Sequence, residues 1–313
     1  MDVISVIVPC FNEEESLPLF YDEITRVASE MPEVRFEVIV VDDGSKDKTV
    51  EVARQLCKKD DRFRYISFSR NFGKESAMYA GLQACTGDYA VVIDADLQHP
   101  PKYIKQMYSE ILSEGWDCVA MRRVSREGEP KLRSFFSRMF YKLMAKISGT
   151  EVVDGACDYR LMCRRMVDAV LSVAERNRFS KGIFSWVGFR TKWLEFENVE
   201  RVAGTTKWSF RKLLMYSFDG ITAFSTTPLY ISSFVGFIFC AVAFIWMLVY
   251  IIKTLIWGDP VPGFPTLACL ILFIGGIQLL VIGVLGQYLA KTYIETKHRP
   301  IYIVRETEED LKK

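Results

Sequence analysis

Two stretches without a single charged side chain, residues 228–252 and 265–290, constrain this 313-residue chain more than any other feature. Each is about 25 residues long, and an apolar helix needs roughly 20 to cross a hydrocarbon layer of about 30 Å. A turn-rich segment, Gly258-Asp259-Pro260-Val261-Pro262-Gly263, separates them. The two runs therefore predict a transmembrane hairpin with both flanks on one side. Lys207, Arg211 and Lys212 precede the first run, and Lys291, Lys297, His298 and Arg299 follow the second. Only Lys253 flanks the short loop, beside Asp259. The bias of basic residues toward the cytoplasm predicts a multi-pass protein of the cell membrane with both termini cytoplasmic.

The first hundred residues have a different texture. Aliphatic runs at residues 4–8, 36–41, 63–68 and 89–93 alternate with helical periodicity, such as Leu17, Phe20, Tyr21, Ile24 and Val27. Helices are expected over about 48–57 and up to about Ala84. Asn12 or Ser16 is expected to cap the first helix, with acids in its opening turn. Such alternation implies parallel crossovers and a sheet covered on both faces. Functional residues in these sheets gather at the carboxyl ends of the strands. Three of those ends are polar: Pro9-Cys10-Phe11-Asn12-Glu13, Asp42-Asp43-Gly44-Ser45, and Asp94-Ala95-Asp96. Two carboxylates spaced i, i+2 at a strand end make a hard-oxygen site suited to Mg²⁺ or Mn²⁺, with a ligand phosphate completing the shell. Eight scattered cysteines without a CxxC pair, and only two histidines, argue against zinc and for reduced thiols in the cytosol. A net charge of +1 gives no sign of nucleic-acid binding. The strand-like start, with no basic leader or cleavage site, predicts no signal peptide.

Taken together, Val8-Pro9-Cys10-Phe11-Asn12-Glu13-Glu14, Val41-Asp42-Asp43-Gly44-Ser45 with Asp47 and Thr49, and Asp94-Ala95-Asp96-Leu97-Gln98-His99-Pro100 resemble family 2 glycosyltransferases. The last phrase resembles their polyprenyl-phosphate branch, which includes bactoprenol glucosyltransferases and dolichyl-phosphate mannose and glucose synthases. The fold this implies is α/β: a GT-A catalytic domain, Rossmann-like with a mostly parallel sheet, followed by the two-helix hairpin. The expected organisation is a GT-A domain over 1–205, a juxtamembrane amphipathic segment over 206–227, the hairpin over 228–295, and a cytoplasmic tail over 296–313 with a strand at 300–305. The resemblance implies a nucleotide-sugar donor, with Pro9, Asn12, Glu13 and Asp43 lining the nucleotide pocket. It implies that Asp94, Asp96 and Gln98 hold the donor diphosphate through the metal.

Further along, residues 116–121 read as another strand leading to Arg122, Arg123 and Arg126, and arginine grips phosphate through paired donors. Residues 131–147 carry an apolar stripe at helical spacing with Lys131, Arg133, Arg138, Lys142 and Lys146 between, as in a helix lying in a membrane interface. In the family an acidic residue near here sits by the acceptor nucleophile, and Asp158, before Tyr159-Arg160, matches best; Asp154 competes. Asp158 could alternatively cap a helix over 161–173. A phosphomonoester acceptor is mostly dianionic at neutral pH, so Asp158 could orient the nucleophile without removing a proton. Arg201-Val202-Ala203-Gly204-Thr205-Thr206-Lys207 resembles a loop of this branch, in which Arg201 and Lys207, with Arg122 and Arg133, would bind donor or acceptor phosphates. The Gln-x-x-Arg-Trp of processive synthases is absent from the sequence, so one sugar per acceptor is expected.

The expected activity is inverting transfer of one hexose, glucose first, from a UDP-sugar to undecaprenyl or dolichyl phosphate at the cytoplasmic face. A flippase would then act downstream. Rival readings are another sugar, another acceptor such as a diacylglycerol or a protein, or a non-enzymatic lipid-binding partner of a flippase. The strand-like tail could add to a neighbouring subunit's sheet and so give a homo-oligomer.

Overall fold

The computed structural model describes residues 1–123, 153, 155–196, 225–257 and 263–312. The chain divides into two units, Met1–Gly220 with Pro300–Lys313, and Ile221–Arg299.

The first unit is built on an eight-stranded sheet in the order β7-β5-β6-β4-β1-β2-β3-β8. Its centre is parallel: β1 (Asp2–Cys10), β2 (Val34–Asp42), β3 (Phe63–Phe68) and β4 (Tyr89–Val92). Every residue from Ile4 to Cys10 is buried, as expected of a strand covered on both faces. Alternate residues Ile4, Val6 and Val8 share one core cluster with Leu17, Phe20, Ile24 and Val27 of α1 (Ser16–Ser29) and Ile104, Met107 and Ile111 of α4 (Tyr103–Glu114). Ile7 faces the other way, toward α3 (Lys74–Ala84), where a Cβ on Gly81 would lie 2.3 Å from its Cγ2. That glycine is what lets α3 sit close on β1. Between β2 and β3 runs α2 (Thr49–Lys59).

β5 (Cys118–Arg123) and β7 (Thr191–Phe196) run parallel to each other, and β6 (Ala156–Cys163) is inserted antiparallel between β5 and β4. Residues 161–163, read from sequence as the start of a helix, therefore belong to this strand, and the helix α5 (Arg164–Ser172) begins after Cys163. Asp158 lies inside the strand and caps nothing. A short helix α6 (Ser180–Trp186) follows. Nor do Asn12 and Ser16 cap α1. Glu15 occupies the cap position without a side-chain bond, and no acid lies in the first turn.

The tail also departs from expectation. Its strand β8 lies at Val304–Thr307, not 300–305, and pairs antiparallel with β3 of the same chain. Arg54 pairs with Glu306 at 2.6 Å, and Arg64 bridges Glu37 at 2.7 Å and Glu308 at 2.6 Å. Tyr302 stacks on Phe68 at 4.8 Å. The tail thereby covers an edge strand that would otherwise expose its backbone donors and acceptors.

The second unit contains α7 (Thr227–Trp257) and α8 (Phe264–Thr296), 31 and 33 residues long. At 1.5 Å per residue each reaches about 45–50 Å, more than a bilayer core. Their described apolar side chains are widely exposed, Phe237 and Leu279 both at 71%. Phe239 packs edge-on to Phe273, and the Tyr288 hydroxyl donates to the Ser225 carbonyl at 2.6 Å. Both helices are long and apolar enough to cross a membrane. The expected amphipathic helix at 131–147, most of the juxtamembrane segment and nearly all of the interhelical loop lie outside the described residues.

Candidate active site at the carboxyl edge of the sheet

Parallel strands deliver their carboxyl ends to one edge, and the polar strand ends meet there. The loops after β1 and β2 are latched to each other through their own motif residues. Asn12 sits at φ 55, its N–H donates to Ser45 Oγ at 2.8 Å, and its Oδ1 accepts from the Lys46 N–H at 2.8 Å. The Glu13 N–H donates to Thr49 Oγ1 at 2.8 Å, and the Glu13 carboxylate accepts from the Ser16 hydroxyl. Pro9 is buried in β1 beside Val41. Asn12 and Glu13, both half-buried, thus help shape the rim as well as facing it.

Asp42 and Asp43 point into the structure. Asp42 accepts from Ser67 Oγ at 2.8 Å and the Ser45 N–H at 3.1 Å. Asp43, 3% exposed, accepts from the Phe72 N–H at 2.6 Å and the Gly73 N–H at 2.9 Å, and so fixes the loop after β3. Burial pushes its carboxyl up to about 6, although those two amides pull the other way. Gly44, at φ 67, makes this contact feasible, because a Cβ there would lie 2.4 Å from the carbonyl carbon of Arg70.

β4 ends at Val92, and the Ile93 N–H still donates to the Ile7 carbonyl at 3.0 Å. Asp94 follows. Leu97, at φ 56, then turns the chain so that the Gln98 N–H reaches Asp96 Oδ1 at 3.1 Å. Val92 pairs with Arg160 across the antiparallel ladder, so running two residues further puts Asp158 opposite Asp94. His99, 5% exposed, wedges the turn against Tyr159 and Phe196, and its Nδ1 lies 3.8 Å from Asp94.

Lys74 joins the two carboxylates. Its Nζ is 2.7 Å from Asp94 Oδ1 and 2.9 Å from Asp158 Oδ2. Burial raises the Asp158 pKa, but the Lys74 charge, helped by Lys181 and Arg160, outweighs it and holds the carboxyl well below the usual range. Burial likewise disfavours the Lys74 ammonium, and the charges of Asp158 and Asp94 more than restore it. Both groups are therefore ionised at neutral pH.

The donor set suits a hard divalent cation. It offers carboxylate oxygens from Asp94 and Asp96 and an amide oxygen from Gln98, all half-buried. Among the described residues no cluster of three His, Cys, Asp or Glu could hold a metal ion. These residues thus fit an open site that a ligand phosphate and water complete, not a closed protein cage.

The match to the Glycosyl transferase family 2 model spans residues 5–171, which includes the ends of β1, β2 and β4, Lys74 and Asp158. The chain belongs to glycosyl transferase family 2. It is a glycosyltransferase, and its mostly parallel Rossmann-like sheet is the GT-A fold expected from its motifs. The family member "Prophage bactoprenol glucosyl transferase homolog" of Escherichia coli (strain K12) is 43% identical over 302 residues, spanning 96% of this chain and 98% of that protein. The bactoprenol glucosyl transferase of Shigella phage SfV is 42% identical over the same shares. Putative glycosyltransferase CsbB of Bacillus subtilis (strain 168) is 39% identical over 97% of this chain and 92% of its own. Among solved structures, the chain is similar to glucosyl-3-phosphoglycerate synthase from Mycobacterium tuberculosis, crystallised with Mn²⁺ and UDP-glucose. There the TM-score is 0.47 and the identity 20%, covering 71% of this chain and 77% of that one.

Within this family 2 site, Arg122 stands at the end of β5 and is paired with Glu195 of β7. Arg133, Arg201, Lys207 and Asp154 lie outside the described residues. Two functional candidates escaped sequence reasoning. Lys74 follows Gly73 after the third aliphatic run, with no motif in the sequence to mark it. Arg160, 3% exposed, lies 3.9 Å over the Phe184 ring and donates to the Cys157 carbonyl at 3.1 Å. Its signal was its place two residues after Asp158.

Proposed function

We propose that this enzyme transfers one hexose, glucose in the first instance, from a UDP-sugar to a polyprenyl phosphate at the cytoplasmic face of a membrane, with inversion. The observation that carries the reading is the meeting of Asp94, two residues before Asp96, with Asp158 through Lys74 on one rim, in a chain with two apolar helices. The near full-length similarity to proteins named bactoprenol glucosyl transferase supports the acceptor.

Pro9, Asn12, Glu13 and Asp43 shape the nucleotide side. Asp94, Asp96 and Gln98 would hold Mg²⁺ or Mn²⁺, which supplies electrostatic stabilisation of the departing diphosphate when bound. A phosphate oxygen of the lipid attacks the anomeric carbon, the bond to the diphosphate breaks, and the nucleoside diphosphate leaves. No proton has to be removed from a dianionic phosphate. The depressed pKa of Asp158 makes it a weak base, which supports an orienting role. Arg122, exchanging Glu195 for substrate, would grip phosphate together with Arg133, Arg201 and Lys207.

Residues on both sides of the helix pair belong to one folded unit, so a membrane-spanning hairpin would leave both ends on one side. The basic flanks favour the cytoplasm. Anchoring holds the site near a lipid whose tail stays in the bilayer, raising effective concentration without new contacts.

The test uses the full-length protein in detergent with Mg²⁺ or Mn²⁺, short-chain polyprenyl phosphate and a panel of labelled sugar nucleotides. Organic-extractable label from one donor, abolished by EDTA and by Asp96→Asn, is expected. Donor binding without transfer would point to another acceptor, such as a diacylglycerol. No binding of any donor in the panel would overturn the donor assignment.

A further inference from the structure

Lys74 and Glu75 open α3 and reach in different directions. Glu75 accepts from the Ser180 N–H at 3.0 Å and from its hydroxyl, which ties α6 to α3. Lys74 reaches across the rim to Asp94 and Asp158. Its own backbone position is set by the neighbouring loop, where Asp43 holds the Phe72 and Gly73 amides. The ammonium is therefore delivered by a fixed scaffold, and the Lys74 side chain is 39% exposed.

We infer that Lys74 is a positioning residue for the transfer reaction: its ammonium holds the donor-side carboxylate Asp94 to the acceptor-side carboxylate Asp158, and it competes with the divalent cation for Asp94. The inference rests on the metal and donor assignment above. Without Lys74, Asp94 and Asp158 would face each other as like charges, with Asp96 close in sequence and Lys181 as a further cation acting on Asp158. Two like charges at short range repel unless a cation lies between them. Lys74 thus has two opposed effects. It assembles the two halves of the site, and it weakens the site's attraction for a cation in the absence of donor. With Asp94 holding a cation, Lys74 would still have Asp158 as its partner, which would link the orientation of Asp158 to occupation of the donor side.

The two effects separate experimentally. Mn²⁺ binding to full-length enzyme in detergent, without donor, is measured by electron paramagnetic resonance for wild type, Lys74→Met, Lys74→Gln, Lys74→Arg and Asp96→Asn. Removing one positive charge beside the site should tighten Mn²⁺ binding about tenfold in the Met and Gln variants. Losing the registration of Asp158 should lower kcat by about 10²-fold in the same variants. Lys74→Arg should keep the wild-type Mn²⁺ affinity and recover part of kcat. A purely structural lysine would not tighten metal binding when removed, and melting curves identify any variant that fails to fold. Unchanged or weaker Mn²⁺ binding in both folded neutral variants, alongside loss of binding in Asp96→Asn, overturns the role of Lys74 and leaves the metal assignment standing. Asp96→Asn binding Mn²⁺ like wild type overturns the metal assignment itself, and this inference with it.

Discussion

Gly44→Ala probes the contact on which the rim is assembled. Gly44 lies at φ 67, where an L side chain costs about 1–2 kcal/mol by its own geometry. The new Cβ would also meet Arg70 C at 2.4 Å, Asn71 N at 2.7 Å and Arg70 Cα at 2.8 Å, all of them backbone. Backbone cannot rotate away as a side-chain tip can, and overpacking of this kind costs about 1–3 kcal/mol more. The total, roughly 2–5 kcal/mol, is a large share of a domain stability of about 5–15 kcal/mol. Gly115→Ala is the control. Gly115 sits at φ 64 with nothing within 4 Å of its added Cβ, so it carries only the conformational part. Thermal unfolding of both full-length variants in detergent should place Gly44→Ala several degrees below Gly115→Ala, at about 2–4 °C per kcal/mol. Because the loop that moves leads directly into Lys74 at the start of α3, Gly44→Ala should lower kcat as well, whereas Gly115→Ala should not. Equal melting temperatures for the two variants would refute the steric argument.

Asp43 supplies a pH signature. Its pKa is raised from 3.8 to about 6, so the folded state binds this proton more tightly than the unfolded chain. The contribution therefore grows as pH falls from 7 through 6 toward 4, by up to about 3 kcal/mol. The melting-temperature difference between wild type and Asp43→Asn should shift toward wild type between pH 7.5 and 5, and a flat difference would count against a buried, proton-binding Asp43. Truncation after Arg299 should cost the sheet unit about 2 kcal/mol, from one aromatic stack and two ion pairs discounted for partial exposure, and should promote aggregation through the bared β3 edge. Mass photometry of the remaining soluble fraction should show an unchanged oligomeric state; conversion from oligomer to monomer with full stability would instead favour pairing of the tail between subunits.

Much of the fold was legible because its signals are local. Continuous aliphatic runs at strand spacing with helical periodicity between them require a covered parallel sheet, and the two uncharged stretches exceed what a bilayer crossing demands. The boundaries of β3 and the end of α3 agree with the sequence reading to the residue. The motif strand ends were legible as a rim for the same reason, since parallel strands have their carboxyl ends together.

What the sequence left open depends on pairing between distant segments. Residues 156–163 could read as the approach to a helix because their apolar run is short, and only the partners β4 and β5 make them a strand. That antiparallel insertion carries Asp158 back to the rim opposite Asp94. The tail's strand-like composition was plain, but which edge it joins was decided by Arg54 and Arg64 meeting Glu306 and Glu308 from far along the chain. Sequence by itself determined the family, the sheet and the carboxylates, because each of these is written in neighbouring residues. Only the tertiary structure decided that Lys74, 20 residues from Asp94 and 84 from Asp158, stands between them. An ion pair depends on distance in space, and α3, β4 and β6 must all be in place before those charges come within reach.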